Sequence, residues 1–182
     1  MENGLHEAIE VKRASYDDKT ILRHLLELYC YDFSEFDGAD VDKHGLFNYK
    51  YLDQYWTEIN RHPFLIRVEG KIAGFALIHE AKREGYEPSF FMAEFFIMRK
   101  YRRKGIGGIV AYQFFDLYQG EWFVSQILAN RAAQLFWHKV IDRYTAGNFE
   151  EIRAEDWEGI IQNFNTRQRN PANGNASQRS RR

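Results

Sequence analysis

The chain has a single cysteine, Cys30, in 182 residues. That excludes an internal disulfide framework and any zinc site built from several thiolates. Excess charge of either sign is also missing: 25 Lys and Arg against 26 Asp and Glu leave a formal net charge of −1. Long-range electrostatics therefore argue against a dedicated nucleic-acid binder. No apolar run approaches the ~18–20 residues that span a bilayer. The first seven residues have neither the basic n-region nor the apolar h-region of a secretory signal. No pair of His, Asp or Glu has metal-ligand spacing, so no metal is expected, and no internal repeat is present. The expectation is a cytoplasmic protein with no membrane and no nucleic-acid partner. At 45% hydrophobic it has about one ordinary domain's worth of core.

What is present reads in order as strands and helices. Ile9 to Ala14 alternates and predicts a first strand. Ser15 and Asp18 resemble a capping box, with Asp in place of Glu, before an apolar helical stripe from Ile21 to about Tyr31. Cys30 sits on that stripe as a small core residue. Asp32 to Asp42 holds five acids and no base; with Gly38 and Gly45 it reads as an irregular connection, followed by an aromatic segment to Trp56 with a second helix or helical turn. Pro63–Glu69 and Ile72–Glu80 form a hairpin about Gly70-Lys71, with Gly74 marking a bulge or a close backbone approach. Ser89–Met98 is apolar at both parities except for Glu94, as in a strand buried on two faces. A helix from Ile106 to Tyr118, a strand from Trp122 to Leu128, a helix capped by Asn130, and short strands at 149–153 and 159–164 follow. From Asn165 onward the composition is basic and polar, read as a disordered tail after a domain at 1–164.

The distinctive stretch is Glu94–Ala111. An apolar strand leads into Arg99, Lys100, Arg102, Arg103 and Lys104, then Gly105, Gly107 and Gly108, then a helix start. Glycines let the backbone approach a ligand, and the first N–H groups of a helix have no internal partners. Together with the helix dipole and the flanking cations, this describes an anion cradle. A P-loop is excluded because no Lys-Ser/Thr pair follows the glycines. The dinucleotide fingerprint fits poorly because Val110 stands where a third small residue belongs.

The remaining match, R-x-x-G-x-G at Arg102–Gly107, resembles the coenzyme A pyrophosphate loop of the GNAT superfamily of acyl-CoA-dependent N-acyltransferases, in its bacterial-type form. Ile97 to Gly107 follows the family pattern V-x-P-x-Y-R-x-K-G-I-G closely, with Arg99 in place of the proline. The resemblance covers residues 9 to about 164, through the element order β-α-α-β-β-β-α-β-α-β-β. It implies an α/β (α+β) fold, a central mixed sheet splayed between its fourth and fifth strands and flanked by helices. It also implies acetyl-CoA as co-substrate, with Arg102, Arg103, Lys104, Gly105, Ile106, Gly107 and Gly108 around the pyrophosphate. Phe96, Ile97 and Met98 would pair with the pantetheine arm, and Asn130 would contact the coenzyme. Trp137 occupies the position of the family's usual tyrosine acid, so that acid is missing there. Members often dimerise, which makes a homodimer compatible with the resemblance.

Acyl transfer to an amine needs a neutral amine, a polarised carbonyl and a tolerable leaving group. Thiolate serves as one, since a free thiol has a pKa near ~8.5. Glu94 is the candidate base, because burial would raise its pKa toward a useful value. Tyr144, downstream of Trp137, is a candidate acid; His79 and His138 are weaker ones. The acidic, aromatic stretch from Tyr29 to Trp56 lies where this fold places the acceptor. It predicts a cationic acceptor, a small molecule or a peptide amine, with Asp32, Glu35 and Asp37 as its attracting charges. The expected function is N-acetyl transfer by direct attack in a ternary complex. A coenzyme-binding module with little catalysis, acting as a sensor or interaction partner, is the alternative that Trp137 favours.

Overall fold

Both parities of the central strands are apolar, so helices must cover both faces of one sheet. The computed structural model, which describes residues 8–82, 84–153 and 159–168, has that arrangement. Strands β1 (Ile9–Arg13), β2 (Arg61–Val68), β3 (Lys71–Ala81), β4 (Ser89–Ile97), β5 (Glu121–Ile127), β6 (Glu150–Ile152) and β7 (Gly159–Asn165) form one sheet in the order β1-β2-β3-β4-β5-β7-β6. Among the described residues only β4 and β5 pair in parallel. Helices α1 (Lys19–Asp37) and α2 (Gln54–Thr57) cover one face, packing Leu22, Leu25, Leu26 and Tyr55 on Leu65, Phe75, Leu77 and Phe96. Helices α3 (Ile106–Leu117) and α4 (Arg131–Thr145) cover the other, against Phe64, Ile66, Ile78, Phe90 and the fully buried Trp122. No helix among the described residues is long and apolar enough to cross a membrane.

Several expected boundaries move. Helix α1 continues past Tyr31 to Asp37 and stops at Gly38, which is left-handed (φ 68°) and donates its N–H to Ser34 O. The acidic run hid this extra length, but Phe33 packs against Tyr29 and edge-to-face with Phe36 along it, and Asp32 is helical. The hairpin turn is Glu69-Gly70, both with positive φ, and Lys71 already pairs with Val68; that is the two-residue turn whose twist suits the flanking strands. Cys30 is half-buried rather than core. Asn165 closes β7, and Thr166 is buried with its Oγ1 2.9 Å from the N–H of Gly120, which donates to it. The chain is thus ordered past the expected end of the domain, through Gln168; the rest of the expected tail lies outside the described residues.

Two irregularities interrupt the ladders around β3. The β3–β4 register shifts between Leu77 and Ile78, so that Leu77 faces Glu94 while Ile78 faces Met92, leaving Ala93 as an exposed bulge. Nearby, Gly74 sits so close to β4 that an added Cβ would run into the Phe96 backbone carbonyl. Both the bulge and the close approach anticipated at this position are present, since the β2–β3 register also shifts beside Gly74, between Ile66 and Arg67.

A methyl at Gly74 would have to push a backbone carbonyl. Gly74→Ala should therefore lower the urea midpoint by an amount worth about 3 kcal/mol. Gly38→Ala, which meets no neighbouring atom and carries only the left-handed penalty, should cost about 1 kcal/mol.

Candidate active site

Strands β4 and β5 pair only at Ser89–Glu121, Phe90–Trp122 and Phe91–Phe123. Beyond that point β5 stays bonded to β7 along its whole length. The Ala93 bulge bends β4 away, as a bulge does by adding one unpaired residue to a strand. Phe91 and Phe123 stack at the vertex with centroids 5.0 Å apart. The far end of β5 is held by the buried Gln134 of α4, whose Nε2 donates to Ile127 O and Leu128 O at 2.8 and 2.9 Å. The gap between the two strands is thus fixed from both sides. Met98 N donates to Ala73 O, and alternation along a strand turns the amide and carbonyl of Ile97 toward the gap.

The cradle follows directly. A 3-10 turn at Arg99–Tyr101 ends β4, Arg103 is left-handed at φ 59°, and Gly105 at φ 80° caps α3. Among the described residues the N–H groups of Ile106 and Gly107 have no protein acceptor, whereas Gly108 donates to Gly105 O at 3.1 Å. Gly108 thus already has an acceptor within the first turn of α3. Gly107 has a second role: an added Cβ would meet the Phe136 ring at 3.1 Å, so its bareness lets α4 pack on α3. A cavity of about 380 Å³ lined by Arg99, Arg102 and Arg103 opens beside the loop.

The bulge also decides which face Glu94 occupies. Phe90 and Met92 point to the α3/α4 core, and so do Phe95 and Ile97 after the bulge. Glu94 and Phe96 are turned to the α1 face. There burial raises the Glu94 pKa above the ordinary carboxylate range, opposed by hydroxyl donation from Tyr29 and Tyr49. Tyr29 stands within 6 Å of Phe33, Phe75 and Phe96 by ring centroids. Tyr49 is delivered by the preceding loop, whose Phe47 and Asn48 N–H groups donate to the Glu27 carboxylate at 2.7 and 3.1 Å. Tyr29 and Tyr49 belong to the aromatic stretch read from the sequence as the acceptor side, though not there as partners of Glu94; Glu27 was not singled out, because nothing local marks it. Burial is also the main reason that the Cys30 thiol is pushed up to about 11, with Glu94 next, which leaves it no thiolate character near neutrality.

Other expected residues fall elsewhere. Asn130 caps α4, its Oδ1 accepting from Ala133 N at 3.0 Å. Trp137 is buried against Phe95, Phe115 and Phe136 and forms a wall of the core. Tyr144 is corrected as a catalytic acid: it is buried, and its hydroxyl donates to Asp116 at 2.8 Å. Asp116 lies near the C-terminus of α3, roughly 15 Å along the helix from the cradle at 1.5 Å per residue. His79 contacts Asn60 and His138 contacts Glu151. Asp32 is not an open attracting charge either, since both of its oxygens accept from Arg99 and Arg102.

Tyr144→Phe should cost about 2 kcal/mol of stability through the lost bond to a carboxylate. Its turnover should stay within roughly twofold of wild type, as expected of a residue away from the reacting atoms. Thermal unfolding and an initial-rate assay read the two effects separately.

The fold has known counterparts. The acetyltransferase (GNAT) family model matches residues 22–141. An acetyltransferase from Thermus thermophilus superposes with a TM-score of 0.65 at 12% identity, over 87% of this chain and 97% of that one. Arabidopsis thaliana Naa50, in complex with the bisubstrate analogue CoA-Ac-MVNAL, gives 0.61 at 15% identity, over 86% and 98%. Spermidine N-acetyltransferase from Vibrio cholerae, in complex with CoA and spermine, gives 0.61 at 8% identity, over 89% and 98%. No curated protein sequence matches. At such identities the superpositions establish the fold, while the family match spans β4, the cradle, β5 and most of α4. The chain therefore belongs to the GNAT family and is an acetyl-CoA-dependent N-acetyltransferase.

Proposed function

We propose that the protein transfers the acetyl group of acetyl-CoA to the primary amine of a cationic acceptor, by direct attack in a ternary complex. The observation that carries this reading is Glu94, a carboxylate sunk among aromatic rings three residues past the last β4–β5 pair. A buried carboxylate beside Tyr29 and Tyr49, in an aromatic-rich corner, suits an ammonium group, which gains from charge and from cation–π contact. Glu35 and Asp37 remain nearby on α1 as additional acidic charge. Relatives of the same fold bind spermine or a peptide-like bisubstrate analogue, which fits a small-molecule or peptide amine.

In this proposal the pyrophosphate lies on the N–H groups of Ile106 and Gly107 and on the Arg103–Gly105 loop. The pantetheine runs along the gap-facing edge of β4 at Phe96–Met98, and Asn130 stands at the opposite side of the gap. Glu94 takes a proton from the acceptor ammonium. The freed lone pair attacks the thioester carbonyl, the carbon–sulfur bond breaks, the sulfur leaves as thiolate, and the proton still in excess on the nitrogen passes to solvent water. No residue is required to protonate that thiolate, consistent with Trp137 and Tyr144 both being committed to the core.

Release of free thiol against a library of amines tests the reading directly. Turnover should appear with at least one primary amine, whereas acetyl-CoA binding without turnover on any amine would make the chain a coenzyme-binding module instead. Glu94→Gln should lower kcat/KM by about 10²–10⁴-fold, the range for general-base catalysis.

The pH profile has a definite sign. Because burial raises the Glu94 pKa, the acid limb of kcat/KM should lie above the ordinary carboxylate value of about 4.3. Tyr29 and Tyr49 pull that pKa back down by donating to the ionised form. Tyr49→Phe should therefore move the limb to higher pH, and a shift to lower pH would remove Glu94 as the titrating base.

A further inference from the structure

Arg99 and Arg102 lie on either end of the turn that closes β4, yet both guanidinium groups end on one carboxylate. Asp32 Oδ1 accepts from Arg99 Nε and Nη2 at 3.1 and 2.7 Å, and Oδ2 accepts from Arg102 Nη2 at 2.6 Å. Arg102 is fixed again by its Nε, which donates to Ile97 O at 2.6 Å, and by the Phe96 ring 5.5 Å away. The Asp32 side chain is 17% exposed, against 72% for Arg99 and 42% for Arg102. The carboxylate thus lies beneath, and the two guanidinium groups face outward. Each guanidinium has five N–H donors; each commits two to these contacts. Together with Arg103 they line the cavity beside the cradle.

The arrangement also accounts for a departure from the family pattern. Arg99 occupies the proline position, and its side chain spans from the end of β4 to α1. Two positive charges on one negative leave the rim cationic. Long flexible side chains are costly to order around a ligand, and a preformed fork avoids that cost.

We propose that Asp32 is a positioning residue for the coenzyme. It holds Arg99 and Arg102 in a fixed fork whose outward N–H groups take coenzyme phosphate at the rim of the Arg103–Gly107 loop. The inference rests on the coenzyme placement proposed above. It also ties α1, which carries the Tyr29 side of the Glu94 pocket, to the coenzyme loop through side-chain bonds. Plain charge repulsion gives the opposite sign: a carboxylate beside a polyanion should weaken it, so removing that carboxylate should tighten binding. The sign of the change therefore separates the two.

Calorimetric titration of the full chain with acetyl-CoA reads it. Asp32→Asn should raise Kd about tenfold, equivalent to about 1.4 kcal/mol, and Asp32→Glu should recover part of the loss. Arg99→Ala should weaken binding to a similar extent, and the Asp32→Asn/Arg99→Ala double variant should lose less than the sum of the two single losses, because Arg99 acts through Asp32, which also holds Arg102. General damage to the fold would instead make the two losses add. An unchanged or smaller Kd for Asp32→Asn overturns the proposal, and so does additivity in the double variant. Arg99 is exposed, so Arg99→Ala keeps the test open if Asp32→Asn does not fold; unchanged binding by Arg99→Ala also overturns it. Absence of binding by the wild-type chain would remove the coenzyme placement itself, a different result from a wild type that binds and a variant that binds equally well.

Discussion

The structure depends on two strands that stop pairing. A sheet that kept its ladder from β4 to β5 would satisfy its own amides and leave no place for a thioester arm. Here the ladder ends at Phe91 and Phe123. Strand β5 cannot follow β4, because β7 bonds it throughout and Gln134 holds its end. Strand β4 cannot follow β5, because the extra residue at Ala93 redirects it while β3 keeps it from the other side. The gap is a consequence of competing hydrogen bonds, each locally satisfied. Unpaired strand groups inside a fold are costly unless something occupies them, which is why such a gap invites an extended, amide-bearing ligand.

The same bulge sets the chemistry. Without the extra residue, side chains would keep strict alternation from Met92, and Glu94 would point into the α3/α4 core, toward Phe136 and Trp137. The inserted residue reverses parity, so the carboxylate meets Tyr29 and Tyr49 on the α1 face. An aromatic pocket with donors to the ionised form can hold a carboxylate whose pKa is raised without losing its function as a base. On this face the acidic character of α1 is divided. Asp32 neutralises part of the arginine charge at the rim, while Glu35 and Asp37 stay outside those bonds.

Much of the fold was legible because its signals are local. The two-parity apolar strands, the stripe of α1, the Asn130 cap and the basic glycine loop each declare themselves within a few residues. Glu94 stood out as the lone carboxylate of an apolar strand. Tyr144 misled because helical spacing from Trp137 says nothing about depth, and Asp116, its partner, is 28 residues away. Asp32 misled because a run of acids looks solvated until the arginines that meet it, 67 and 70 residues on, are placed beside it.

The sequence by itself determined that a mixed α/β domain would carry an anion cradle between Ile97 and Gly108, because backbone freedom, charge order and a helix start are properties of neighbouring residues. Tertiary structure alone decided where the strands part, which face Glu94 takes, which glycine N–H groups stay open and which charges are already paired. Those outcomes turn on one bulged residue and on contacts between segments dozens of residues apart, where no local propensity reaches.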